Sequence, residues 1–134
     1  MDNDLTKAQE IVEECFPVSL TGVCLKPLTK WLKLISSKWM MFTLMALPSD
    51  STPLRYSEIR SRVGQIVSKK ISDTTLSTRL NELVKENIVE RNQFNEIPLR
   101  VEYNLTTKGI ELQKSLQPLI EWAIETCHKS QNSD

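Results

Sequence analysis

Apolar positions recur at helical spacing through most of this chain and change to strict alternation only in its second half. Leu5, Ala8, Ile11, Val12 and Cys15 share one stripe, so residues 4–15 read as an amphipathic helix that Pro17 stops. Leu28, Trp31, Leu32 and Ile35 form a second stripe. Pro27 opens it, since its missing N–H suits a first helical position. Ser37 is placed to cap a further helix from Lys38 through Leu47. Pro48 to Pro53 is a loop, and Leu54-Arg55-Tyr56 is a short strand. Ser57 then caps a short helix with Ile59 and Val63 on its buried side, and Gly64 to Ile71 reads as a turn. Ser72 caps the next helix, with Asp73 favourable beside its positive end. Leu76, Leu80, Leu83 and Val84 form that helix's buried face, which leaves Thr74, Thr75, Thr78, Arg79 and Glu82 outside.

Asn87 ends this helix, and the period then drops to two. Val89–Phe94 and Arg100–Leu105 alternate as strands do, around a tip at Asn95-Glu96-Ile97-Pro98-Leu99. Thr106 caps a long last helix carrying Leu112, Leu116, Leu119, Ile120 and Ala123, which Pro118 is expected to kink and which should fray after Lys129. A helix pair followed by a two-stranded ribbon and a closing helix is an α+β, mostly helical winged helix-turn-helix with a two-stranded wing. Extra N- and C-terminal dimerisation helices flank it, because both have apolar stripes beyond what one small domain must bury. The expected organisation is an N-terminal helix and linker over 1–22, the winged domain with its C-terminal helix over 23–128, and a frayed tail over 129–134.

Length and composition narrow the class. The chain has 134 residues, 40% of them apolar, enough for one domain with a real core. Seventeen bases balance seventeen acids, but unevenly. Residues 1–21 carry a net −4, residues 22–100 a net +6 and residues 101–134 a net −2, so the middle attracts phosphate although the whole does not. The acidic N-terminus is unlike a signal peptide, and the longest apolar-rich run, Trp39 to Leu47, is too short to span a bilayer, so no membrane partner is expected. Cys15, Cys24 and Cys127 are an odd count with no CxxC pair, which excludes a zinc ribbon and suits a reducing cytoplasm. Cys127 and His128 are adjacent on a helix and point about 100° apart, so with Cys15 they make a poor metal site. His128 is the only histidine, and no carboxylate spacing marks a catalytic pair, so neither an enzyme nor a cofactor is expected.

Four segments resemble the HxlR-type winged-helix regulators. They are Pro27-Leu28 through Leu34-Ile35-Ser36-Ser37-Lys38-Trp39, then Arg55-Tyr56-Ser57-Glu58-Ile59-Arg60, then Ile71-Ser72 through Leu76-Ser77-Thr78-Arg79-Leu80, and Glu96-Ile97-Pro98-Leu99-Arg100-Val101-Glu102-Tyr103-Asn104-Leu105-Thr106-Thr107-Lys108-Gly109. The last is the specific one, and the likeness covers about Cys24 to Trp122. Ser36-Ser37 stands where the family tends to have two glycines, and the turn before Ser72 is longer by Lys69-Lys70. The resemblance implies a transcription regulator, usually a repressor, that acts as a homodimer on double-stranded DNA at a near-palindromic operator. The alternative is a winged-helix module for protein–protein assembly without DNA, which the zero net charge keeps open.

The candidate DNA-binding residues follow from that geometry. Thr74, Thr75, Thr78 and Arg79 lie where a recognition helix enters the major groove, Arg79 to reach guanine and the threonine methyls to reach thymine. The alternative is a solvated face with Arg79 paired to Glu82 or Glu58. Lys69, Lys70 and Ser72 precede the helix and suit phosphate. Arg100 and Asn95 lie in the wing, where an arginine enters a minor groove or pairs instead with Glu96 or Glu102. Trp39 reads as a core anchor and Trp122 as dimer or core packing. Many family members carry a cysteine just before the proline and some use it as an oxidant sensor. Here Lys26 holds that position, and Cys24 is the candidate redox sensor, with an inert thiol as the alternative. No pattern names a small-molecule effector.

Overall fold

The computed structural model describes residues 25–132. The helix expected over 4–15, and with it Cys15 and Cys24, lies outside the described residues. The chain divides into two compact units, residues 1–40 and 41–134, taken here one at a time.

In the first unit, helix α1 spans Leu25–Ser36, two residues earlier than the pattern places it. Pro27 is tolerated there because first-turn N–H groups have no intrahelical acceptor anyway. Its apolar stripe leaves Leu28 and Leu32 exposed, and Lys30 sits over the Trp31 ring at 5.3 Å. Ser37 does not cap the next helix. Its hydroxyl donates back to the Lys33 carbonyl at 3.2 Å, beside the Ser36 hydroxyl at 3.1 Å, so both serines close α1. The chain then turns through Trp39 at φ 70 before helix α2, Met40–Ala46, which leads into the second unit.

The second unit continues with strand β1 (Leu54–Arg55), helix α3 (Tyr56–Val67), helix α4 (Asp73–Lys85), strands β2 (Val89–Phe94) and β3 (Arg100–Leu105), and helix α5 (Thr107–Gln131). The three strands form an antiparallel sheet in the order β1-β3-β2, with Leu54 opposite Tyr103 and Arg91 opposite the same tyrosine on the other side. Leu44, Leu47, Ile59, Val63, Ile71, Leu76, Leu80, Leu83, Ile88 and Leu105 are fully or almost fully buried. Each contributes about 1.5–3 kcal/mol of burial, and together they hold the helices on the sheet.

Two junctions fix this unit. Asn87 takes φ 59 after α4, and the Ile88 and Asn87 amides donate to the Leu83 and Val84 carbonyls at 2.9 and 3.1 Å. This is the paired bonding of a left-handed helix end. Thr106 caps α5 as expected, accepting from the Gly109 amide at 3.0 Å, and its own hydroxyl donates to the Asn87 carbonyl at 2.6 Å. Gly109 lies so close to this corner that a Cβ would collide with the Ile88 carbonyl oxygen. The glycine that closes the family-like segment is therefore a close-approach glycine.

Three expectations change. Helix α3 is preceded by Arg55, whose amide donates to the Glu58 carboxylate at 3.2 Å, so Ser57 lies inside the helix and is not its cap. That helix runs on through Gly64 to Val67, and the turn shrinks to the residues between Ser68 and Ser72. Helix α5 continues through Pro118 to Gln131, past the expected fraying point. Pro118 leaves the Lys114 carbonyl without its intrahelical donor but does not end the helix.

Candidate nucleic-acid interface

The helix pair α3–α4 is tied at one point. Asp73, the first residue of α4, accepts from the Tyr56 phenol at 3.1 Å and pairs with Arg60 at 3.1 Å, so two side chains of α3 hold the start of α4. The Tyr56 phenol is held above its ordinary range, chiefly by burial, with the Asp73 carboxylate adding to the shift against an opposing bond from Ser77. Ser72 caps α4 as the sequence implies, accepting from the Thr75 amide at 3.2 Å and donating to the Thr75 hydroxyl at 2.8 Å. Ser68 makes the left-handed end of α3 at φ 55, and Ile71, 2% exposed, plugs the turn into the core.

The outer face of α4 differs from the expected one. Thr74, Ser77, Thr78, Asn81 and Lys85 are exposed, whereas Thr75, Arg79 and Glu82 are half-buried. At 100° per residue the first five lie within one sector opposite Leu76, Leu80 and Leu83, so Ser77 and Asn81 belong to the face although the sequence reading passed over them. Arg79 lies on the flank, next to Leu83, and pairs with Glu82 at 2.8 Å. Ser72 and Thr75 spend their hydroxyls on the cap. The Thr78 hydroxyl donates to the Thr74 carbonyl at 2.7 Å, which leaves its methyl on the exposed face.

Beside the turn lies an open cleft of about 620 Å³ bordered by Tyr56, Arg60, Ser68, Lys69 and Lys70. Lys69 and Lys70 are exposed, and they project from a short, anchored turn rather than the long loop expected.

The wing is formed as expected at Val89–Phe94 and Arg100–Leu105. Arg100 is not presented freely. It pairs with Glu96 at 3.1 Å and Glu102 at 3.5 Å, lies 4.0 Å from the Phe94 ring centre, and its buried Nε has no partner. Asn95 is exposed at the tip, beside Ile97 and Leu99, which are also exposed. Glu96, Arg100 and Glu102 leave the wing tip with one excess negative charge.

Among the described residues, no cluster of His, Cys, Asp and Glu is set to hold a metal, and no helix is long and apolar enough to cross a membrane. Cys127 is exposed with a free thiol.

Comparison with known proteins agrees with this fold. Residues 34–131 match the model of the HxlR-like helix-turn-helix family. An uncharacterized HTH-type transcriptional regulator of Halalkalibacterium halodurans is 36% identical over 102 residues, 76% of this chain and 81% of that protein. Among solved structures, the reduced form of the transcriptional regulator YodB from Bacillus subtilis superposes with a TM-score of 0.63 at 32% identity, covering 79% of this chain and 96% of that one. A possible HxlR family transcriptional factor from Thermoplasma volcanium superposes with a TM-score of 0.66 at 28% identity, covering 84% and 95%. The chain belongs to the HxlR-like helix-turn-helix family and is a transcriptional regulator with a winged helix-turn-helix DNA-binding domain.

Proposed function

We propose that the protein is a sequence-specific double-stranded DNA-binding repressor that works in the cytoplasm as a homodimer on a near-palindromic operator. The observation that carries this reading is the outer face of α4. It is exposed, polar and rigidly mounted, with its first turn fixed by Ser72, Tyr56 and Arg60. A recognition helix needs such a mounting, because base edges are read within hydrogen-bond tolerance. Lys69 and Lys70 stand beside its start, where phosphate contacts set register. The dimer reading rests on α5. Residues from Glu121 onward are exposed along it, and Leu119, Trp122 and Ile124 are large apolar side chains left in water. A two-fold dimer presents two recognition helices about one DNA turn apart, which is the source of operator symmetry.

Two roles change weight. Arg79 and Arg100 are each held by carboxylates, so phosphate attraction falls chiefly on Lys69 and Lys70, and Arg100 contacts DNA only if its pairs with Glu96 and Glu102 open, while Asn95 is exposed at the wing tip. The same neutralised arginines favour the second reading, an assembly module without DNA.

Titrating a duplex selected from a random pool against salt decides between the two. The expected result is affinity that falls steeply with salt, with the log–log slope reduced by about one for each phosphate contact that Lys69→Ala and Lys70→Ala remove. Salt-insensitive or absent duplex binding selects the assembly module. If an oxidant switches the protein as in some relatives of this type, the thiol proposed is Cys24. Equal duplex affinity of reduced and oxidised protein removes that role, and Cys24→Ser identifies the thiol if affinity differs.

A further inference from the structure

We propose that the bases beneath α4 in each half-site are A·T pairs, read by Thr74, Thr78 and Asn81; this rests on the assignment of α4 as the groove-facing helix. A recognition helix distinguishes guanine chiefly with an arginine or lysine aimed at O6 and N7, adenine with an asparagine or glutamine amide, and thymine with a small apolar group against its methyl. The exposed sector of α4 contains only the second and third kinds of group where it enters the groove.

The guanine reader is withdrawn. Arg79 lies beside the buried edge, its side chain is 20% exposed, and Glu82 holds its guanidinium at 2.8 Å. Lys85 shares the exposed sector but is the last residue of α4, eleven positions beyond Thr74 and therefore about 16 Å along the axis. The helix leaves the groove toward its C-terminus, so Lys85, a full turn beyond Asn81, is left at the level of the backbone. Ser77 is exposed on the same sector, but a serine hydroxyl donates to or accepts from any base and so selects none.

What remains is neutral. The Asn81 side chain is exposed and carries a donor and an acceptor on one plane, the arrangement that matches adenine N7 and N6. The Thr78 hydroxyl is fixed to the Thr74 carbonyl, so the group it offers the groove is a methyl held in one rotamer. Thr74, exposed one turn earlier on the same line, adds a second methyl.

The test begins with duplexes selected from a random pool by the full-length protein. A·T pairs at the positions beneath α4 are expected in both half-sites. Replacing the thymines there by deoxyuridine removes only their methyls. It should weaken the wild-type protein several-fold and leave Thr78→Ala, which has no γ-methyl, much less affected. Asn81→Ala should lose about tenfold and should no longer distinguish adenine from 7-deaza-adenine. Both side chains are exposed, and unchanged thermal melting keeps the variants comparable. Selected G·C pairs at those positions, indifference of the wild type to deoxyuridine, or a base preference that shifts in Arg79→Ala overturns this inference while leaving DNA binding in place. Absence of salt-sensitive duplex binding overturns both.

Discussion

Asn87 and Gly109 are two positions where the identity of a residue follows from the backbone around it. At φ 59 a side chain with a β-branch crowds the following carbonyl, while asparagine and glycine are accepted. Asn87→Gly should therefore be near neutral, and Asn87→Val should cost about 1–2 kcal/mol in chemical denaturation. Gly109 has a different reason. Its backbone leaves no room for a Cβ against the Ile88 carbonyl, which itself accepts from the Thr106 amide at 3.0 Å. Relief requires moving the corner where β2 begins and α5 starts. Gly109→Ala should destabilise the domain by about 3 kcal/mol, seen as a lower denaturation midpoint at unchanged slope. An equally stable Gly109→Ala would show that the corner yields.

At the scale of elements, the recognition helix depends on its first turn. Ser72→Ala removes the acceptor for the Thr75 amide and should cost about 1 kcal/mol, with amide exchange rising first at Thr74 and Thr75. The sequence made this element legible because cap, apolar stripe and Asn87 end agree with one another. The wing strands were equally legible, since alternation is bounded by Asn87 and interrupted by Pro98. Legibility failed where a single residue served as punctuation. Gly64 looks like a breaker, yet α3 runs through it, because Val63 is fully buried and Ile71 anchors the chain only after Ser68 has turned it. Ser37 and Ser57 look like caps but lie at positions where other groups are nearer. The face of α4 was half legible. Angular spacing assigns Ser77 and Asn81 to it and moves Arg79 toward Leu83, but the Arg79–Glu82 pair is a choice between partners that only the fold makes.

At the scale of the whole molecule, α5 is 25 residues long, about 37 Å, and its second half is exposed among the described residues. Trp122→Glu places a charge among the exposed apolar side chains proposed to pair two copies. It should shift sedimentation toward monomer and weaken operator binding, because each half-site alone holds only one reading helix. Unchanged sedimentation would move the dimer contact elsewhere. Gln113, 4% exposed, ties the inner half of α5 to the end of α2, donating to the Leu44 and Leu47 carbonyls at 3.1 and 2.8 Å and accepting from Ser49 at 2.8 Å. Gln113→Leu leaves these groups unsatisfied and should cost about 1–3 kcal/mol without altering base preference. The frame is thus held by Gln113, Thr106, Gly109 and Asp73, and none of these lies in the exposed sector of Thr74, Thr78 and Asn81. The vocabulary proposed for this regulator is therefore separable from its grammar: exchanging those three surface side chains should rewrite the operator with no compensating repair of the fold.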